Sequence, residues 1–381
     1  MSHEFPPDIN KLVDELHASM HGGETRSGEA VRLIGWLEQV RAGDGVDLLL
    51  VSGAPPSARV NGALRPLESG PLDGIEIEET VLPALPAHAR RQYRDTGIAD
   101  TSFRVAGLGR FRINLHRERG RAAAAIRVLP AHAPRLDTLG LPEAIALLTR
   151  LPRGLVLVGG PTGSGKTTTL AAIVEEINQR DARHIVTIED PIEYEHHHER
   201  SLVEQVEIGV DAPDFPTALR AALRQAPDVI VVGEMRDPET MRTAVAAAET
   251  GHLVFSTVHT PDVSSTVARI ADSFPPERQN TIRQELSMAL AAVLTQTMLP
   301  RVGGGTIPAC ELLMVGYGAR QHIRKNALQH LHQEITITRK QGSFTFEESL
   351  ARLVRKGLVD HQEAALRAAH PEEFESALRS E

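Results

Sequence analysis

Aromatic residues are scarce in this chain, with one Trp, three Tyr and nine Phe among 381 residues. So few rings for base stacking, together with a formal net charge of −9, leave little of what nucleic-acid binders depend on. Nucleic acid is not an expected partner. Cysteine is rarer still. Cys310 stands alone, which excludes an internal disulfide and a cysteine-based zinc module, suits a reducing compartment, and leaves Cys310 as a small buried apolar residue. Long apolar runs are also missing. Val46 to Val51, interrupted by Asp47, Leu155 to Val158 and Val229 to Val232 have the length of strands rather than membrane spans. Met1 to Pro7 is polar and weakly acidic, unlike a signal peptide, so a cytoplasmic protein is expected.

What is present has a clear order. The length suits two domains with short extensions. Ile9, Leu12, Val13, Leu16 and Met20 recur at helical spacing, and His21 to Gly28 is polar and glycine-rich, so residues 1–28 read as a short helix on a tether. Residues 29–129 combine an amphipathic stretch, Ala30 to Val40, with short strand-like segments at Val46 to Val51, Ser57 to Val60, Phe103 to Val105 and Arg110 to Leu115. They predict a small α+β domain. Pro130 to Pro142 carries three prolines and one glycine and predicts an extended, semi-rigid linker. Across residues 143–381, buried strands at Leu155 to Val158, Ile185 to Ile188, Val229 to Val232 and Leu253 to Ser256 alternate with helical stretches such as Thr168 to Gln179. That is the signature of an α/β domain with a parallel sheet covered on both faces. From Pro275 onward the period is helical, with Ile282, Leu286, Leu290 and Val293 as one core-facing stripe.

Lysine is also rare, occurring only as Lys11, Lys166, Lys325, Lys340 and Lys356, and this scarcity sharpens the main motif. The run Gly160, Pro161, Thr162, Gly163, Ser164, Gly165, Lys166, Thr167 fits Gly-x4-Gly-Lys-Ser/Thr. At this composition, roughly one chain in a few hundred would match by accident. It also lies between an apolar strand and a helix. Backbone N–H groups from Thr162 to Lys166 can face phosphates, the helix N-terminus favours their charge, the Thr167 hydroxyl can ligate Mg²⁺, and Thr168 completes the turn. ATP with Mg²⁺ is the expected ligand. Val229 to Glu234 is an apolar strand delivering Glu234 at its end, a Walker-B pattern that places a carboxylate near the metal. Glu189, in the acidic run after the strand Ile185 to Ile188, is placed to polarise a water for in-line attack. His259, at the C-terminal end of another strand, is a candidate to sense or stabilise the γ-phosphate. His252 reads as structural, and His196, His197 and His198 as a solvated loop.

In this order, Gly160-Pro-Thr-Gly-Ser-Gly-Lys-Thr-Thr-Thr-Leu170, Thr187-Ile-Glu-Asp-Pro-Ile-Glu-Tyr194, Val232-Gly-Glu-Met-Arg-Asp237, Ala248-Glu-Thr-Gly-His-Leu-Val-Phe-Ser-Thr-Val-His-Thr260 and Gln296-Thr-Met-Leu-Pro-Arg301 resemble the secretion-ATPase superfamily. The resemblance, from about Glu29 to about Val359, is specifically to type IV pilus retraction ATPases of the PilT/PilU kind. It implies a PAS-like N-terminal domain joined to a RecA-like P-loop ATPase domain. It also implies a homo-oligomeric ring, a hexamer, peripheral to the inner membrane and acting on an inner-membrane pilus platform protein. By the same resemblance Glu189 is the Asp-box glutamate, Glu234 the Walker-B glutamate, and His252 and His259 the His-box histidines. Arginines supplied by the first domain correspond to candidates among Arg110, Arg112 and Arg127. Assembly ATPases share the core but add a long N-terminal region and a four-cysteine zinc module, both missing here.

Three features depart from the family pattern, one of them the extra helix and tether before Glu29. Val46-Asp47-Leu48-Leu49-Leu50 lacks the histidine of Ser-Asp-Leu-His-Leu. Gly318-Ala-Arg-Gln-His-Ile-Arg-Lys-Asn-Ala327 keeps only Ile323 and Arg324 in good register with the retraction motif, with Lys325 in place of the acidic residue. An accessory ring component working with a paralogous ATPase is therefore the alternative to an autonomous retraction motor, and a nucleic-acid translocase is a third reading disfavoured by composition.

Overall fold

The structure, a computed structural model, describes residues 28–67 and 69–380. The helix expected from Ile9 to Met20 and its tether lie outside the described residues, apart from Gly28. Among those described, no helix is long and apolar enough to cross a membrane.

The first domain is a six-stranded antiparallel sheet in the order β3-β2-β1-β6-β5-β4. Its strands are β1 Asp47–Leu50, β2 Ser57–Val60, β3 Ala63–Pro66, β4 Ala99–Val105, β5 Gly109–Glu118 and β6 Arg121–Val128. The β2–β3 turn is Asn61-Gly62, both at positive φ, the twist that a two-residue hairpin requires. Strict alternation along β5 sends Phe111, Ile113 and Leu115 into a core shared with Leu33, Trp36, Leu37 and Val40 of the helix Gly28–Ala42. The intervening Arg110 and Arg112 therefore lie on the opposite face. Cross-strand register places Arg127 of β6 opposite Arg112.

The second domain is built on a seven-stranded sheet, β13-β12-β7-β11-β10-β8-β9. These strands are β7 Gly154–Gly159, β8 His184–Glu189, β9 Leu202–Glu207, β10 Val229–Val232, β11 Leu253–Val258, β12 Leu290–Pro300 and β13 Thr306–Met314. Every neighbouring pair is parallel except β12 with β13. Strands β7, β10 and β11 are buried along their whole length, because helices cover both faces. Leu155 and Leu157 face the core formed with the helices Pro238–Glu249, Val263–Asp272 and Pro276–Ala289. Val156 and Val158 face the helix Lys166–Arg180. Parallel pairing gathers the C-terminal ends of β7, β8, β10 and β11 on one edge, and chain order reverses beside β7, where open α/β sheets bind ligands.

Three expectations change. The helical stripe past Pro275 ends at Ala289; Leu290 and Val293 belong to β12. A register shift between Leu290 and Ala292 adds one residue to that strand, so Leu290 and Val293, three apart, reach the same core as Ile282 and Leu286. A bulged strand thus imitates helical spacing. The segment 130–142 is not simply extended. It forms a 3-10 turn at Leu136–Thr138, buries Leu136 in the second domain's core, and is held by Arg352 donating to Gly140 O at 2.9 Å. The histidine run is not a solvated loop either. His196 Nδ1 meets Glu175 Oε2 at 3.0 Å, His197 O accepts from Asn178 at 2.7 Å, and His198 Nδ1 accepts the Val203 N–H at 3.2 Å.

Candidate nucleotide site

Strand β7 ends in the loop Gly160 to Gly165, and backbone geometry explains its glycines. Gly160 has φ +149°, and a Cβ there would overlap Gln296 O and Ser164 Oγ, so only a glycine fits. Gly165 is left-handed at φ +84° immediately before the helix Lys166–Arg180 and supplies no capping side chain. The N–H groups of the first turn, which a helix cannot satisfy internally, are thus left without a side-chain acceptor. The buried Ser164 hydroxyl has no hydrogen-bond partner either. An uncapped helix start, a left-handed glycine and an orphaned buried hydroxyl form a cradle that matches phosphate oxygens. The loop's outer residues Pro161, Thr162 and Gly163 are exposed, and Thr167 and Thr168 are half-buried.

Lys166 folds back over this cradle, its Nζ donating to Gly160 O and Pro161 O at 2.9 Å each. Burial pushes its pKa down, and the nearby Glu234 carboxylate opposes that shift. Thr168 Oγ1 lies 3.0 Å from the Tyr194 hydroxyl. Gln296 on β12 fastens the loop from beneath, donating to Ser164 O at 2.5 Å and accepting from the Thr169 hydroxyl at 3.0 Å. No role for Gln296 was legible beforehand; its only signal was its place at the head of the run Gln296 to Arg301.

Glu234 and His259 follow the adjacent strands β10 and β11, and the sheet brings them together beside Lys166. Glu234 is mostly buried, with Arg236 Nη2 at 2.6 Å from Oε1 and His259 Nε2 at 3.9 Å from Oε2. Desolvation, followed by the charge of Lys166, holds the His259 pKa below the ordinary imidazole value, with Glu234 acting in the opposite direction. His252 lies at the other end of β11, its Nδ1 3.0 Å from Ala247 O, away from this edge.

Glu189 closes β8. Thr187, two residues earlier on the same strand face, donates to Glu189 Oε1 at 2.7 Å, and Gln205 Nε2 donates to the same oxygen at 3.2 Å. Burial raises the Glu189 pKa against the opposing effect of these two hydrogen bonds.

The three first-domain arginines separate. Arg110 is nearly buried and spans the two domains: it donates to Ile192 O at 2.9 Å, Ser102 Oγ at 3.0 Å and Glu207 Oε2 at 3.3 Å, and its Nε lies 3.2 Å from Glu195 Oε1. Arg104 pairs with Glu195 alongside it. Arg112 makes a two-pronged pair with Asp100 at 3.1 and 2.9 Å and lies within electrostatic reach of Glu193 and Asp190. Arg127 is exposed and bonds Asp47 within its own domain at 2.8 Å. Among the described residues, none of the three makes a hydrogen bond or ion pair to the phosphate cradle.

A family model described as type II/IV secretion system protein matches residues 101–373. The type IV pilus retraction ATPase PilT of Pseudomonas aeruginosa is 40% identical over 328 residues, covering 86% of this chain and 95% of that protein. The type IV pilus ATPase PilU of the same organism is 37% identical over 325 residues, covering 85% of each. Among solved structures, that of the pilus retraction motor PilT with bound ADP superimposes at a TM-score of 0.80 with 41% identity, over 89% of this chain and 98% of that one. The α/β fold, the glycine-built loop after β7 and these matches across most of the sequence agree, and the chain belongs to the type II/IV secretion system protein family and, within it, to the pilus retraction ATPases of the PilT/PilU kind.

Proposed function

We propose that this chain binds ATP at Gly160 to Thr168 and hydrolyses it to drive type IV pilus retraction as a ring of identical subunits, a hexamer, acting on an inner-membrane platform protein. The observation that carries the reading is the uncapped, glycine-built cradle facing Glu234 and His259 on neighbouring strand ends. Loop and helix N–H groups bind the phosphates, and Lys166 exchanges its two loop carbonyls for phosphate oxygens. Thr167 and Glu234 are the residues that would hold Mg²⁺, and the ion would supply charge neutralisation at the γ-phosphate. Glu189 accepts the proton of the attacking water. Its raised pKa suits a base more than that of a fully solvated carboxylate. His259, with its pKa depressed, donates to the γ-phosphate as a neutral imidazole.

Arg110 carries motion between the domains, because its guanidinium joins β5 to the segment 192–207 that follows Glu189. Arg112 and Arg127, side by side on the outer face of the first domain's sheet, reach a neighbouring subunit's phosphates by exchanging their carboxylate partners Asp100 and Asp47. ATPase assay with sizing chromatography on the purified protein tests the enzyme and the ring together. A monomer without turnover at saturating ATP, with and without the platform protein, would sink the reading.

The accessory alternative, a nucleotide-binding ring component working with a paralogous ATPase, is favoured by one observation. In the altered segment Gly318 to Ala327, a Cβ at Gly318 would collide with the buried Glu334 carboxylate, so a larger residue there requires that side chain to shift. Complementation of a retraction-deficient strain decides between them: full motility with this chain alone removes the accessory reading.

A further inference from the structure

Resting on the assignment of Glu189 as the water-activating base, we infer that Gln205 is a positioning residue for hydrolysis, holding Glu189 and tying it through Tyr194 to the first turn of the phosphate-binding helix. Gln205 lies on β9 directly opposite Thr187 of β8. Because side chains alternate along a strand, Thr187, Glu189 and Gln205 share one face of the sheet. The two donors converge on a single carboxylate oxygen, Glu189 Oε1.

Both the nitrogen and the oxygen of the Gln205 amide have partners. Its Nε2 donates to Glu189 Oε1 at 3.2 Å and to Tyr194 O at 2.9 Å, and its Oε1 accepts the His196 N–H at 2.8 Å. A flipped amide would set its N–H against the His196 N–H and its oxygen against two acceptors, so the orientation is fixed by its partners. Tyr194 is thereby held by its carbonyl, while its hydroxyl lies 3.0 Å from Thr168 Oγ1. A continuous path runs from the turn that binds phosphate, through Tyr194 and Gln205, to the carboxylate that activates water. A displacement of Thr168 on nucleotide binding changes the anchorage of Glu189. The titratable group facing Glu189 from the same loop is His196, itself paired with Glu175.

A donor to an ionised carboxylate favours the charged form, so its removal makes Glu189 harder to ionise and moves the acid limb of kcat to higher pH. Gln205→Leu keeps the volume and removes the amide. The expected result at neutral pH is a fall in kcat of about tenfold, in line with the loss of one hydrogen bond to a charged group, with KM for ATP little changed. The acid limb should shift upward. Gln205→Glu, nearly isosteric, retains the acceptor for His196 but sets a like charge beside Glu189, and should shift the limb upward as well. A role confined to packing would lower kcat at every pH and leave the limb in place. Glu189→Gln is run in parallel. Full turnover in that variant would overturn the base assignment itself, whereas an inactive Glu189→Gln with unmoved limbs in folded Gln205→Leu and Gln205→Glu would overturn the role of Gln205 alone. Should Gln205→Leu fail to melt cooperatively, the limb in Gln205→Glu decides.

Discussion

Lys166 closes its own loop when it bonds the carbonyls of Gly160 and Pro161, and in the proposed function phosphate binding replaces these two neutral acceptors with charged ones. Lys166→Ala should weaken ATP binding by at least about tenfold, read by titration with a fluorescent nucleotide, without lowering thermal stability to a similar degree. Glu189→Gln separates binding from chemistry. It should retain ATP affinity and lose about a hundredfold or more in kcat, the size of a general-base contribution. The pH dependence has a definite sign. Burial raises the Glu189 pKa, so the proton stays on to higher pH than on an ordinary carboxyl, and the base role proposed for Glu189 needs it gone. ATPase activity should therefore decline on acidification while solvated carboxylates are still ionised, and a kcat profile flat through the weakly acidic range would contradict the assignment.

At the scale of elements, β12 supports the nucleotide loop although it lies far away in sequence. Gln296 donates to Ser164 O and accepts from Thr169, both buried contacts. Gln296→Leu leaves two buried polar groups unpaired and should cost about 1–3 kcal/mol of stability, measured by denaturant titration, with weaker nucleotide binding as well. Gly160→Ala places a methyl group into Gln296 O and Ser164 Oγ and forces an alanine to φ +149°. It should abolish nucleotide binding while the far-ultraviolet spectrum stays native. The same strand explains a misreading of the sequence: Leu290 and Val293 follow Leu286 at intervals of four and three, and a bulge satisfies that spacing as well as a helix does. Strand β9, at the sheet edge, has no apolar run to mark it, since Leu202 to Glu207 carries three polar residues among six.

Across the whole molecule, the two domains meet at a cluster around Glu207, which accepts from Ser102 at 2.9 Å, from Ile192 N–H at 3.1 Å and from Arg110 at 3.3 Å. Arg110 and Glu207 are both nearly buried, so removing one leaves the other charge without its partner. Arg110→Met should loosen the domain contact, seen as faster proteolysis within 130–142 and a larger radius in small-angle scattering; an unchanged radius and cleavage rate would argue that the clasp is incidental. Cys310 offers a separate probe of opening. It is buried on β13, and burial pushes its thiol up to about 12. A thiol reagent at pH 8 should label native protein only at the rate of unfolding, and fast labelling would mean that the sheet edge opens locally.

The sequence by itself determined the class of fold and marked out the candidate site. A phosphate cradle needs particular residues at fixed local spacing, and buried parallel strands need continuous apolar runs, so Gly160 to Thr167, Glu189, Glu234, His259 and the strands carrying them were all legible along the chain. Tertiary structure alone decided what depends on neighbours distant in the chain. It set Gln296 beneath the loop, Gln205 against Glu189, and Arg110 in a domain contact while Arg127 stayed with Asp47. A side chain's partner is fixed by strand order and register, and these follow from how whole faces are buried rather than from any local run of residues.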